Sequence, residues 1–240
     1  NPVVTAAVEG APATAGWDYD GSTPEVGGNV RWGVTSNLTL NGTANPDFSQ
    51  VEADAGQTQF DPRSAVFFPE KRPFFLEGSD NFQTPNRLIY TRSIVRPHGA
   101  AKLTGKVSGT ELAYLSAVDS DLEGTGNNPI FNILRVKRDI GEQSTVGIAY
   151  TDRVEGSDYN RLASMDTRLV FGGIYDVQMQ GAFSFDRTAS FHQSGHLWDT
   201  SVRRQGREFG FNMSFKGFSD DLIAGSGFLG RVGTVTARGG

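Results

Sequence analysis

A period of two limits the fold of this chain more than any other feature. In residues 143–152 one side of an extended strand carries Val146, Ile148 and Tyr150, and the other Thr145, Gly147, Ala149 and Thr151. Residues 175–186 set Val177, Met179, Phe183 and Phe185 against Gln178, Gln180, Ser184 and Asp186. Residues 207–218 set Phe209, Phe211, Met213 and Phe215 against Asn212, Ser214 and Lys216, and Val30, Trp32 and Val34 alternate with Arg31, Gly33 and Thr35. Successive side chains of a strand point to opposite faces, so each segment has one apolar and one polar side.

The connections sort the architectures that share this pattern. Tight turns are expected at Ser36-Asn37, Ser108-Gly109, Gly141-Glu142, Gly172-Gly173 and Gln205-Gly206, and longer polar links over 120–128, 153–160, 187–195 and 219–226. A regular alternation of short and long connections is the habit of transmembrane barrels, and sandwiches mix their loop lengths less regularly. The expected fold is therefore all-β, an antiparallel up-and-down transmembrane β-barrel. About twelve strands fall in this chain, over 3–8, 28–35, 38–44, 99–107, 110–118, 130–139, 143–151, 161–171, 175–186, 196–204, 207–218 and 227–237. The pattern stops at a turn, so residues 1–240 are expected to form one barrel domain that is part of a larger barrel. Several aromatics, among them Trp32, Tyr90, Tyr150, Tyr175 and Trp198, fall near expected strand ends, where barrels keep interfacial rings.

Composition narrows the chemistry. The chain is 37% hydrophobic, and no apolar run approaches the ~20 residues a spanning helix needs. It has no cysteine, which removes disulfides, thiolate metal sites and cysteine nucleophiles. A net charge of −5 argues against general nucleic-acid binding, which wants a basic face. The opening Asn1-Pro2-Val3 has neither the basic start nor the apolar core of a secretory signal, so an exported protein is expected here in mature or trimmed form.

One stretch breaks the repeat. Residues 45–86 separate two strands by far more than a usual loop. They hold Phe48, Phe60, Phe67, Phe68, Phe74, Phe75 and Phe82 among many carboxylates, a set of rings that must pack on something. Asp61-Pro62 reads as a helix start, with Pro69 as its stop. Residues 87–95 are assigned to the same excursion, because a strand there would reverse the parity of every later one. The excursion is expected to plug the lumen or cap the rim.

The runs Ser36-Asn37-Leu38-Thr39-Leu40, Asn45-Pro46-Asp47-Phe48-Ser49-Gln50-Val51-Glu52-Ala53-Asp54 and Phe67-Phe68-Pro69-Glu70-Lys71-Arg72-Pro73-Phe74-Phe75-Leu76-Glu77-Gly78 resemble an uncharacterised family of Gram-negative surface proteins, the domain of unknown function 5916. Residues 88–92, 100–105 and 227–232 are similar to it as well. The resemblance implies an outer-membrane barrel, often preceded by a module like the family-nine carbohydrate-binding domains. It implies no activity, and members are much longer than this chain.

The candidate plug or lumen residues are Glu52, Asp54, Phe67, Phe68, Glu70, Lys71, Arg72, Phe74, Phe75 and Glu77. Glu70-Lys71-Arg72 lies between two Phe-Phe pairs and reads either as a ligand-contacting element or as a brace. A brace must pair its charges, with Arg135, Lys137 or Asp186 on the wall as expected partners. Asp47, Glu52 and Asp54 have oxygen-ligand character but lack EF-hand spacing; a network with Arg63, Lys71 and Arg72 is the favoured reading, and no metal or cofactor is expected. His192 and His196 are read as loop histidines flanking a turn, and His196 with Asp199 only imitates a hydrolase pair. No Gly-x-Ser-x-Gly motif is present, so no enzyme activity is expected.

The function expected is that of an outer-membrane pore, transporter or surface scaffold for small solutes, with sugar chemistry entering only through the resemblance; its partners are membrane lipid and those solutes. The alternative is a soluble extracellular β-sandwich that binds carbohydrate, its apolar faces packed on each other.

Overall fold

A computed structural model describes residues 2–5, 8–13, 16–21, 25–46, 67–122 and 124–240, with side chains from residue 27 onward. The strands are β1 (Pro2–Thr5), β2 (Val8–Ala13), β3 (Gly16–Gly21), β4 (Glu25–Thr35), β5 (Leu38–Ala44), β6 (Pro97–Val107) and β7 (Thr110–Asp119). They continue as β8 (Ile130–Ile140), β9 (Ser144–Glu155), β10 (Asp158–Phe171), β11 (Tyr175–Arg187), β12 (His192–Gln205), β13 (Gly210–Phe218) and β14 (Thr234–Gly239). Among the described residues, one helix, α1 (Pro73–Leu76), and two 3-10 turns, Ser79–Phe82 and Thr91–Ser93, lie between β5 and β6. No described helix is long and apolar enough to cross a membrane.

The all-β antiparallel expectation holds. Twelve strands form one sheet in the order β1-β4-β5 and then consecutively to β14, every neighbour antiparallel, while β2 and β3 form a separate hairpin. Three details differ from the expected barrel. The described sheet is open: β1 and β14 are its edges and do not pair with each other, so closure is not present here. The single expected strand 3–8 is two strands, with β3 added. The strand expected over 227–237 is reduced to Thr234–Gly239, because residues 219–233 fold onto the sheet instead.

The tight turns at 36–37, 108–109, 141–143, 172–174 and 206–209 all fall at one end of the sheet. The opposite end carries the connections 45–96, 120–129, 156–157, 188–191 and 219–233. The polar link expected over 153–160 is a mere turn at Gly156-Ser157, because Arg153, Glu155, Asp158 and Asn160 continue the ladder as inward-facing or paired residues.

Pleating divides the sheet into two unlike faces. On one face the register aligns Trp32, Leu40, Leu103, Tyr114, Leu134, Tyr150, Ala163 and Phe183 side by side across eight strands. The next rank runs Leu112, Val136, Ile148, Met165, Gly181, Trp198. These apolar side chains are on the outside: Phe183 is 62% exposed, Met165 59% and Trp32 62%.

The other face is buried and mixed. Ala113, Leu115, Ala117, Phe131 and Ile133 form an apolar patch under Phe75, Phe82 and Ile94 of the β5–β6 excursion. Leu162, Ala182 and Leu197 form a second patch, under Leu88 of the excursion and Leu222 of the β13–β14 connection. Gly195 has no side chain because the Leu222 backbone lies where a Cβ would stand, 2.3 Å from its Cα. The excursion therefore replaces the second layer that a one-faced sheet requires. We expect Phe131→Ala to cost about 3–5 kcal/mol in denaturant unfolding, the range for emptying a fully packed aromatic site. Phe185→Ala on the outer face, in aqueous buffer, should change stability far less.

Candidate functional site

The most built feature of the molecule is the contact between the excursion and the inner face. Residues 67–96 act as a brace, and their first support is internal. Arg72 is nearly buried, and its guanidinium donates to the carbonyls of Ile94 at 2.6 Å and Thr91 at 2.9 Å. Its Nη2 and Nε also donate to Glu70, at 2.7 and 2.8 Å. Glu70 further accepts from the Thr91 hydroxyl at 2.6 Å. Burial alone would raise the Glu70 pKa, but the hydrogen bonds from Arg72 and Thr91 outweigh it and hold the carboxyl below its ordinary range. Phe67, Tyr90 and Phe228 pack edge to face and tilted at 5.3–5.4 Å, joining the brace to the β13–β14 connection. The Tyr90 amide donates to the Ser226 carbonyl, and the Phe228 amide to that of Arg87.

The second support is the wall. Lys102, on the inner face of β6, donates to the carbonyls of Phe74 and Glu77, closing the exposed C-terminal end of α1 with a cation. Glu77 pairs with Arg31 of β4 at 2.7 Å, and Asp119 of β7 accepts from the amides of Val95 and Arg96 at 2.7 and 2.6 Å. At the far side Asn86 is the hub. Its amide N–H and Nδ2 both donate to Gln180 of β11, at 2.9 and 2.7 Å, and Nδ2 also to Asp199 of β12 at 2.9 Å. Lys216 of β13 donates to the Asn86 Oδ1 at 2.8 Å and pairs with Asp199 at 2.9 Å. One asparagine thus links three strands to the brace.

The expected site residues divide as follows. Phe67, Phe68, Glu70, Lys71, Arg72, Phe74, Phe75 and Glu77 all sit in the brace, with Phe75 packed into the wall and Phe68 held by hydrogen bonds to the Tyr90 hydroxyl. Asp47, Glu52, Asp54, the helix start at Asp61-Pro62 and Arg63 lie outside the described residues. The expected charge partners are corrected. Glu70 and Arg72 pair with each other, while Arg135 binds Asp166 at 2.5 and 2.8 Å, Lys137 binds Glu111, and Asp186 accepts from Asn160. Lys137 and Asp186 find partners on adjacent strands, and Arg135 reaches across β9 to Asp166 of β10, so all three are satisfied within the wall. His192 and His196 are on β12, not in a loop, and His196 faces outward while Asp199 faces the brace, so the two do not meet.

Sequence reasoning missed Asn86, Gln180, Asp199, Lys216 and Lys102. Parity marked Gln180 and Lys216 as polar residues on strands, but nothing in the chain's pattern pairs position 86 with either. Among the described residues no group of metal-ligating side chains comes together. At the long-loop end, a cleft of about 330 Å³ is lined by Arg153, Asn160 and Asp186 of the inner face with Thr125, Asn127 and Thr188 of the connections.

A family model described as a domain of unknown function, DUF5916, matches residues 7–112. Over that stretch the chain is similar to this family. The match takes in β2 to β6 and the entire brace, so the Phe-rich run that suggested the family is the segment that packs into the sheet. It shows no neighbouring carbohydrate-binding module. Neither curated proteins nor solved structures gave a match to the chain.

Two measurements check the brace. Asn86→Ala removes the side-chain bonds to Gln180, Asp199 and Lys216, while the backbone N–H to Gln180 and the Lys216–Asp199 pair remain, and should cost about 1–3 kcal/mol in all. Faster proteolysis within 67–96, with the strands intact, would be its signature. Because the Glu70 pKa is lowered on folding, its stabilisation is present above the ordinary carboxylate pKa of 4.5 and is lost as pH falls through the lower folded value. The difference in stability between the parent and Glu70→Gln should therefore shrink on acidification below that point.

Proposed function

We propose that this chain is the lipid-facing wall of a Gram-negative outer-membrane β-barrel, a pore, transporter or surface scaffold for small solutes whose lumen the 67–96 brace narrows. The observation that carries this reading is the inversion of the sheet: continuous ranks of Trp, Leu, Ile, Met and Phe on the open face, and charged and hydroxyl side chains on the enclosed one. In water such a face would be covered, since soluble monomers rarely leave large contiguous apolar patches bare.

Strand length supports the same reading. From Tyr175 to Phe185 the apolar side of β11 extends ~34 Å at ~3.4 Å per residue, and a strand tilted ~45° would carry it through an apolar band ~25 Å tall. The inner face below the brace offers Arg168–Asp176, Lys106–Glu111 and Lys106–Asp139 pairs, chemistry suited to a wet interior. A lipid-facing sheet edge is too costly to leave unpaired, so this reading requires the edges of β1 and β14 to be completed by pairing. The sandwich alternative needs a second sheet over the apolar face, and among the described residues nothing packs there. Sugars have no specific support over other small polar solutes.

The test is insertion. The refolded protein should float with phospholipid vesicles and resist extraction at high pH. Met165→Arg should weaken insertion by about 2–4 kcal/mol, the toll for a cation near the bilayer midplane. In a soluble sheet the same exposed site would tolerate the change within about 0.5 kcal/mol, and that result, with a monodisperse detergent-free parent, would end the reading.

A further inference from the structure

The apolar side chains of the brace pack on the inner face in two clusters, and a buried strip lies between them. Its first apolar contact is with β6, β7 and β8, its second with β10, β11 and β12. The inner residues of β9, namely Gly147, Ala149 and Thr151, belong to neither. Across the ladder from them stand Asp166, Ser164 and Leu162 of β10. The strip is thus made of small, hydroxyl and charged groups, with Leu162, the edge of the second apolar contact, at its loop end.

Its polar atoms are not satisfied. Thr151 Oγ1, Ser164 Oγ, Arg135 Nε and Gln180 Nε2 are all buried without a hydrogen-bond partner, in residues only 1–8% exposed. Four such atoms clustered on four adjacent strands are unusual, because buried polar groups nearly always find partners in protein or water. They also fall in line. One ladder step toward the long loops, on the same face, are Arg153 and Asn160, which line the 330 Å³ cleft. One step the other way, beyond Asp166 and Gln180, are Arg168 and Gln178 on the uncovered lower part of the inner face. Arg135 crosses the strip to reach Asp166, and it does so over Gly147, where a Cβ would stand 2.5 Å from its Nη1. The paired charges leave the strip neutral overall.

We propose that this strip along β9 and β10 is a hydratable passage by which water and small uncharged polar solutes move past the brace, from the loop-end cleft to the lower inner face. The inference rests on the pore reading above. In the structure the passage is shut, and the unpartnered groups favour parting of the brace from β9 and β10 by the width of a water molecule, since each then gains the hydrogen bond it lacks. The paired Arg135 and Asp166 form its narrowest polar point and disfavour net charge of either sign.

The natural absence of cysteine makes the test direct. Ser164→Cys, Thr151→Cys and Ala149→Cys place one thiol each in the strip, and Ala113→Cys and Ala182→Cys place one in each flanking apolar contact. All five are checked for the parent's β-sheet circular dichroism, and Ala149→Cys, the smallest change, serves if a hydroxyl replacement fails to fold. Folded protein is then treated with a small, uncharged, water-soluble thiosulfonate. The strip thiols should react at least tenfold faster than the two apolar controls, and a bulky reagent should lose that advantage. Strip thiols as slow as the controls would overturn the passage. Vesicle flotation of the same samples reads the membrane proposal separately: a protein that labels in the strip but does not float keeps the hydratable strip and loses the pore, and one that floats without labelling keeps the barrel and loses the passage.

Discussion

Everything in this molecule follows from a sheet whose two faces ask for different surroundings. A pleated strand cannot mix its sides, so alternating Phe, Met and Val with Gln, Ser and Asp commits one face to an apolar neighbour and the other to a polar one. Soluble sheets put the apolar face on their own core. Here the protein supplies its second layer to the opposite face, and the Trp32-to-Phe183 rank is left bare. The arrangement of the brace, the charge pairs and the loops is secondary to that choice.

The brace shows how a polar wall can hold a packed segment. Two apolar patches supply burial, and each is bordered by hydrogen bonds that fix position: Lys102 and Asp119 beside the first, Asn86 with Gln180, Asp199 and Lys216 beside the second. Burial is non-directional, whereas these bonds have geometry, so they set where the Phe75 and Leu88 side chains settle. The Glu70–Arg72 pair works inside the brace, with Arg72 donating to the carbonyls of Thr91 and Ile94 where the chain reverses. The outcome is a segment packed on the wall through two apolar patches, with β9 between them.

The strands were legible because their signal is local. Residues 38–44, 110–118, 130–139 and 175–186 were placed to within a residue or two from alternation and turns alone. The errors fell where alternation is absent or deceptive. Residues 227–232 resemble a strand in composition, yet the Phe228 amide bonds to Arg87 of the brace instead, a choice made by a residue more than a hundred positions away. The candidate plug residues were found by their crowding of rings, and those among the described residues, Phe67, Phe68, Glu70, Lys71, Arg72, Phe74, Phe75 and Glu77, lie in the brace. Their partners were not, because Arg135 could satisfy its charge on Asp166, a neighbour only the register supplies.

By itself, the amino-acid sequence determined that the chain would be antiparallel sheet with one oily and one polar side, and that a Phe-rich excursion between β5 and β6 would have to be packed away. Those properties depend on spacing of one, two or four residues, which any reader of the chain can see. Tertiary structure alone decided which face the excursion covers, that Asn86 meets Gln180, Asp199 and Lys216, and that β9 joins neither apolar patch. Such contacts join positions about a hundred residues apart, and their pairing is set by strand register and chain path, quantities that no local pattern encodes.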